Sequence, residues 1–235
     1  MAAQIIKIAE ETSPRKLFVW ALDWPGWCRS GRDLGSAHEA LLAAADRYAL
    51  VAAGAGIEFP AVAKFETVAQ VEGGSGTAFG VPSVIIDDDR RAVNSTEATR
   101  LAALVAASWC MFDAVASAAP EALRKGPRGG GRDTSKIVAH VDEADRAYAR
   151  EIGIKQKPPA DHREVEALRS AILDVLVRLS DGSPLADRKW PQRYAARRIA
   201  WHALDHAWEI EDKANLPAAG HGLAGGFRAA KGGSR

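Results

Sequence analysis

The feature that most constrains this chain is a succession of helical patterns after Asn94. Four segments of about 20 residues repeat apolar side chains at helical spacing, and loops rich in glycine or proline separate them. They begin near Ser95 or Thr96, Asp133, His162 and Pro191. Because each segment has an apolar stripe to bury, four such helices are expected to pack into an all-α four-helix bundle.

Residues 4–92 have a different residue pattern. Runs of branched and aromatic residues alternate with turn signals, and one segment, 34–53, has helical spacing with Ser36 as a plausible N-cap. The predicted strands are 5–11, 16–24, 61–72 and 81–87, with the glycine-rich sequence GGSG as the turn between the last two. We therefore expect an α+β module of order β-β-α-β-β, in which one helix covers a small sheet.

These two residue patterns predict two domains and a tail. The α+β domain spans 1–93, the helical bundle spans 94–216, and the glycine-rich segment 217–235 is predicted to be a flexible tail. The glycine-rich run GPRGGGR follows a predicted helix and lacks a GK[ST] ending, which favours an interhelix loop over a phosphate-binding loop.

Composition and charge exclude some classes of function. The 235 residues include 31 basic and 30 acidic side chains, so the net charge of +1 does not favour binding to nucleic acid or to an anionic membrane. No signal peptide and no apolar run of roughly 18 residues is evident in the sequence. Cys28 and Cys110 lack a CxxC partner, and we read them as an apolar turn residue and a core residue. We expect a soluble protein of the reducing cytoplasm.

The candidate chemistry lies in three histidines. His202 and His206 stand four residues apart, on one face of the last predicted helix. His140, in the second helix, shares a face with Ile137 and Ala144 and is expected to point inward. Three imidazoles would leave positions open on a divalent ion such as zinc or nickel, which is typical of a catalytic site. Such an ion lowers the pKa of a thiol or of water.

A metal-free interpretation remains open for these residues. HxxxH pairs occur by chance in helices, and an inward histidine often donates to or accepts from a buried polar group. In that case the helices form a structural bundle without a metal.

The second half, about 95–213, resembles the DinB/YfiT-like superfamily, which includes the mycothiol-dependent maleylpyruvate isomerases. The resemblance rests on IVAHVDEADRAY and HALDH, which match the family's histidine early in the second helix and its HxxxH on the last. It implies a metal site at His140, His202 and His206, and a thiol-dependent activity. Many members end the last motif with another histidine and a glycine-glutamine pair, whereas HAWEIED follows here. Asp205 and Glu209 would then orient the ligand rings, or are simply solvated.

The first half is similar to the HicB-like module over FVWALDWPGWCRSGRDLGSAHEALLAAADRYA. That module has a strand, a Pro-Gly-Cys turn, a short S-x-G-D segment and a helix, and Trp27 and Arg32 are insertions here. The resemblance implies a partner-binding half of a toxin-antitoxin pair, although no adjoining DNA-binding segment is evident. A module that packs on the bundle, shapes its entrance or forms a dimer contact is the alternative.

A basic cluster precedes the histidine pair. Its side chains would bind the carboxylates of a low-molecular-weight thiol or an acidic substrate, or form a solvated face. The cluster comprises Arg188, Lys189, Arg193, Arg197 and Arg198.

The sequence thus predicts a divalent-metal-dependent enzyme that activates a thiol or water for transfer to, or hydrolysis of, a small electrophile. S-transferase, isomerase and hydrolase activities all fit this prediction, and a homodimer remains open. The alternative is a non-catalytic regulatory protein, in which the HicB-like module recognises a protein partner and the bundle is a scaffold.

Overall fold

The computed structural model describes residues 3–126 and 131–214. It shows an α+β protein, with a four-stranded mixed sheet followed by a mostly helical region. The strands are β1 Ala3–Thr12, β2 Leu17–Ala21, β3 Cys28–Gly31 and β4 Ala61–Glu72. The helices are α1 Leu34–Ala43, α2 Ala45–Gly54, α3 Ser75–Phe79, α4 Ser95–Ala118, α5 Thr134–Glu151, α6 His162–Leu176 and α7 Gln192–Ala214.

The centre of the sheet, in β1 and β2, is buried on both faces, whereas the edge strand β4 is mostly exposed. Its strand order is β3-β2-β1-β4, in which β1 runs antiparallel to β2 and parallel to β4. Ile6 and Ile8 of β1 belong to the main core, with residues of α1 and α2. Ala9, on the opposite face, packs in a smaller cluster with Trp20 and Trp201. Because successive side chains of a strand point to opposite faces of the sheet, β1 contributes residues to two cores.

The prediction of a strand at 81–87 is wrong. The buried Glu11 carboxylate accepts hydrogen bonds from the backbone N–H groups of Ser83 (3.0 Å) and Val84 (3.1 Å), which in a strand would donate to a neighbouring strand. The predicted GGSG turn is also wrong, because α3 begins within it at Ser75. The short strand β3 was not predicted, so the order is β-β-β-α-α-β.

The predicted helix 34–53 is interrupted at Ala44, which separates α1 from α2. Its N-cap is Asp33 rather than Ser36. The Asp33 carboxylate accepts from the backbone N–H of Ser36 (2.8 Å), and the Ser36 hydroxyl accepts from the backbone N–H of Asp33 (3.2 Å). This reciprocal pair is a capping box.

The four long helices pack in a closed ring, in which α4 and α5 each contact both α6 and α7. Asn94 caps α4 instead of Ser95 or Thr96, since its side chain accepts from the backbone N–H of Glu97 (2.9 Å). Helix α5 follows Asp133 and α7 follows Pro191, as predicted. Helix α6 is shorter than its apolar pattern and ends at Leu176.

Two predicted segments lie wholly or partly outside the described residues. They are the tail 217–235 and the glycine-rich loop, of which residues 127–130 are not described.

Among the described residues, α4 is the one helix long and apolar enough to cross a membrane by length and composition, with a mean hydropathy of 1.7 in its most apolar window. The sequence-based expectation that no segment is apolar enough therefore needs correction. Of that window, 56% is buried inside the protein. This burial is consistent with a core helix of a soluble protein.

Helix α7 is the central element of the fold. Residues 191–204 are all buried, because one side of α7 packs on α4 and α5 and the other packs against the sheet and its turns. The main core consequently runs without interruption from the sheet into the helical region. The division at residue 93 stays a prediction.

The Pro25-Gly26-Trp27 turn packs closely against α7. A Cβ atom on Gly26 would lie 2.8 Å from Cδ1 of Leu204 and 3.0 Å from Cβ of Ala200. The φ angle of Gly26 is +92°, a region that favours glycine. Only a residue without a side chain fits at this turn.

A buried ion cluster joins α4, α5 and α6. The Arg169 guanidinium lies 2.7 Å from the Asp113 carboxylate, 3.3 Å from that of Asp145 and 3.5 Å from that of Asp142. The single guanidinium of Arg169 therefore pairs with three carboxyl groups. Burial raises the pKa of Asp145 to about 7, although Arg169 opposes this shift.

The two cysteines differ in environment. Cys28 is buried at the start of β3, and burial raises the pKa of its thiol, so it is a poor nucleophile. Cys110, predicted to be a core residue, is exposed on α4 instead.

Candidate metal centre

The structure brings together the three histidines that the sequence singled out. His140 lies on α5, and His202 and His206 lie on α7. One ring nitrogen from each residue can be chosen so that all three lie within 4.8 Å of one another. The ring centroids are 5.0 Å apart for His140 with either partner and 4.7 Å apart for His202 and His206.

Helix geometry accounts for this convergence. His202 and His206 stand one turn apart on the face of α7 that meets α5. On α5, Ile137 lies three residues before His140 and is fully buried, so the helix turns this face toward the core. His140 itself is half-buried, whereas His202 and His206 are buried. The cluster is therefore closest to solvent on its α5 side.

The environment favours the neutral, metal-binding form of two imidazoles of the cluster, His140 and His202. Burial lowers the pKa of His202 to about 2, with further contributions from His206 and Arg198. Burial also lowers the pKa of His140, assisted by the positive charge of Arg132. A neutral imidazole has a free lone pair and can bind a metal, whereas an imidazolium cannot.

One nitrogen of the cluster has no partner. Nδ1 of His202 is buried and makes no hydrogen bond with any described residue. Buried polar atoms are nearly always paired, and a bound ion or water at this nitrogen would satisfy it.

Glu209 orients His206. Its Oε2 atom lies 2.7 Å from Nδ1 of His206, and its other oxygen accepts from Lys213. The bond to His206 is the main reason that the pKa of Glu209 falls to about 2. An ionised carboxylate only accepts hydrogen bonds, so Nδ1–H of His206 donates to Glu209, and Nε2 is the ring nitrogen left to face a metal.

Asp205, the other acidic candidate on α7, lies away from the rings. It is partly exposed and forms an ion pair with Arg29 of β3, 3.5 Å away. No hydrogen bond joins it to the three histidines among the described residues.

The basic cluster divides into two groups. Arg188 and Lys189 are exposed, as expected of a solvated face. Arg193, Arg197 and Arg198 are buried, so the solvated-face interpretation is wrong for these three.

Arg197 and Arg198 differ in what they contact. Arg197 forms two hydrogen bonds of 2.7 Å to the Asp89 carboxylate and a third to the carbonyl of Val84. Arg198 instead lies against two aromatic rings, 5.2 Å from the centroid of Tyr148 and 4.6 Å from that of Trp201. Its Nη1 atom is buried without a hydrogen-bond partner.

Sequence reasoning missed three residues near the site. Tyr148 places its ring 5.6 Å from the ring of His202, Lys213 supports Glu209, and Arg132 contributes positive charge. Helical spacing could have found the first two. Tyr148 is eight residues after His140 on α5, and Lys213 is four after Glu209 on α7.

The arrangement fits a divalent ion. Atoms 4.8 Å apart at the corners of a triangle lie about 2.8 Å from its centre, and zinc binds imidazole nitrogen at about 2.0–2.1 Å. Ring movements of less than about 1 Å would bring all three nitrogens to that distance. Three imidazoles and a carboxylate that orients one of them are also the donor set typical of zinc sites.

Comparison with known proteins gives no match: no family model, curated protein or solved structure is significantly similar to this chain.

Proposed function

We propose that this protein is a divalent-metal-dependent enzyme with His140, His202 and His206 as ligands. It would activate a thiol or water for transfer to, or hydrolysis of, a small electrophilic substrate. One observation carries the proposal: three imidazoles converge within 4.8 Å, and one of them has a buried nitrogen without a hydrogen-bond partner among the described residues.

The proposal assigns a chemistry to the ion and roles to the chain. Zinc or nickel suits the three imidazoles, and such an ion supplies Lewis acidity, which lowers the pKa of a thiol or of water. Glu209 and Lys213 hold His206 in one tautomer and orientation. The Tyr148 ring packs edge-on against His202 and limits its rotation.

The motif resemblance supports a thiol as co-substrate. IVAHVDEADRAY and HALDH resemble DinB/YfiT-like sequences, and we propose membership of that superfamily for the helical region. S-transferase, isomerase and hydrolase activities remain the candidate classes. We further propose a cytoplasmic protein with small-molecule partners and no membrane or nucleic-acid partner, in line with its net charge of +1. A homodimer is compatible with this proposal.

Metal content tests the proposal. Untagged protein purified without chelators is analysed by inductively coupled plasma mass spectrometry beside His140→Ala, His202→Ala and the control His162→Ala. His162 is an exposed histidine of α6, outside the cluster. We expect about one ion per chain in the parent and the control, and loss in the two cluster variants.

Two other functions are outcomes of the same measurement. If the parent holds no ion after dialysis against zinc and nickel, the enzyme proposal fails. A stoichiometric protein captured with such metal-free protein would then favour a partner-binding role for the HicB-like module. Without such a partner, a structural bundle with hydrogen-bonding histidines is favoured.

A further inference from the structure

We propose that the ligand of the three-histidine site carries a carboxylate, and that Arg198 binds this group. This inference rests on the proposed function, because it names the substrate class of the same site. It starts from a contrast between two adjacent arginines that are equally buried, at 7% exposed for Arg197 and 8% for Arg198.

Arg197 has its counter-ion inside the fold, whereas Arg198 does not. The Asp89 carboxylate neutralises Arg197 through two hydrogen bonds. No described carboxylate lies within ion-pair distance of Arg198, and its Nη1 is buried without an acceptor. Burying an unpaired cation is costly, so a residue kept in this state points to a counter-ion from outside the chain.

The position of Arg198 connects it to the histidines. It precedes His202 by four residues on α7, so Arg198, His202 and His206 form one line at i, i+4 and i+8. Tyr148 contacts both the guanidinium and the His202 ring, and so bridges the two groups. One small ligand can therefore lie along this face of α7.

The charge around the site also favours an anion. Lys213 pairs with Glu209, and Arg132 adds positive charge near His140, which Glu143 offsets in part. A divalent ion would increase the positive charge further. The guanidinium presents a planar set of donors that matches a carboxylate, and the flanking Tyr148 and Trp201 rings restrict its movement.

Two thiols that differ in one charged group test this inference. Mercaptoacetate and 2-mercaptoethanol share a thiol on a two-carbon chain, and only the first has a carboxylate. Their dissociation constants are measured by isothermal titration calorimetry on zinc-loaded parent protein, Arg198→Gln, Arg198→Lys and Arg150→Gln. Arg150 is an exposed cation on α5 that lines a separate surface groove.

The expected result is a charge-dependent preference that needs Arg198. The parent and Arg150→Gln should bind mercaptoacetate at least about tenfold more tightly than 2-mercaptoethanol, because one charge-assisted hydrogen bond contributes about that factor in affinity. Arg198→Gln should reduce this ratio to about one while retaining one zinc per chain. Arg198→Lys should keep the charge but lose part of the preference, because it lacks the planar donors.

Other outcomes separate the two proposals. If Arg198→Gln binds zinc and keeps the preference of the parent, the role of Arg198 is overturned and the metal site stands. If the parent itself holds no zinc, both proposals fail. If Arg198→Gln does not fold, Arg198→Lys decides, and a parent-like ratio in that variant overturns bidentate carboxylate binding.

Discussion

Nδ1 of His206 lies 2.7 Å from Oε2 of Glu209, one turn further along α7. This contact fixes which nitrogen of His206 faces the cluster. Removing the carboxylate in Glu209→Ala should therefore weaken zinc binding about 10–100-fold, as measured by competition with a chromophoric chelator.

Asp205→Ala is the matched control for Glu209→Ala. It removes another carboxylate from α7, but one that pairs with Arg29 rather than with a histidine. Its zinc affinity should stay within about twofold of the parent. Equal losses in the two variants would contradict the orienting role of Glu209.

Replacing His202 by leucine should separate metal binding from stability. Leucine removes the orphaned buried Nδ1, so the metal-free His202→Leu variant should unfold at equal or higher denaturant concentration than the metal-free parent. Excess zinc should raise the melting temperature of the parent and of the exposed-site control His162→Ala, but not that of His202→Leu. A zinc-dependent rise in His202→Leu would show that the ion binds elsewhere.

The turn at Gly26 should be intolerant of a side chain. A methyl group there would collide with Leu204 and Ala200, and φ is +92°. Gly26→Ala should lower the free energy of unfolding by about 2–4 kcal/mol in urea denaturation. Gly56 also has positive φ, at +70°, but a methyl group there would meet nothing within 4 Å, so Gly56→Ala should cost about 1 kcal/mol. Similar decreases in the free energy of unfolding in the two variants would show that the turn at Gly26 is not tightly packed against α7.

Asp145 should make stability depend on pH. Burial raises its pKa to about 7 in the folded protein, against about 3.9 in an unfolded chain. Between these values the unfolded chain loses the proton and the folded protein retains it. The folded state should therefore lose stability as pH rises from about 4 to about 7, and no more above that.

The measurement is urea denaturation from pH 4 to 8 on the parent, Asp145→Asn and Asp174→Asn. The free energy of unfolding of the parent relative to Asp145→Asn should fall across pH 4–7 and then level off. Asp174 is exposed on α6, and the profile of its variant should run parallel to that of the parent. A difference between the parent and Asp145→Asn that does not change with pH would contradict a raised pKa for Asp145.

Local signals predicted the long helices and the histidine cluster. The i, i+4 spacing places His202 and His206 on one face of α7 in any surroundings. His140 joins them if it lies near the apolar face of the amphipathic helix α5, which packs on α7. Pro191 likewise marks a helix start through its own local chemistry, whereas Asp133 precedes α5 without capping it, because its carboxylate accepts from Lys125.

Long-range contacts explain what the sequence did not predict. The segment 81–87 has strand-like residues, yet the carboxylate of Glu11, more than 70 residues earlier, accepts from its backbone. Arg193, Arg197 and Arg198 have the composition of a solvated face, but groups that are distant in the sequence cover them: Glu97, Asp89 and Tyr148, respectively. None of these contacts leaves a signal in the neighbouring sequence.

The burial of residues 192–204 of α7 on all sides has a consequence for the order of folding during synthesis. Of the described elements, α7 is the last to leave the ribosome, and both the sheet and α4 need it to cover their apolar surfaces. Those surfaces stay exposed while the chain grows, so we expect chaperones to bind the nascent protein until α7 docks. Two of the three histidines arrive with that helix, so the nascent chain acquires its histidine cluster only in this final step.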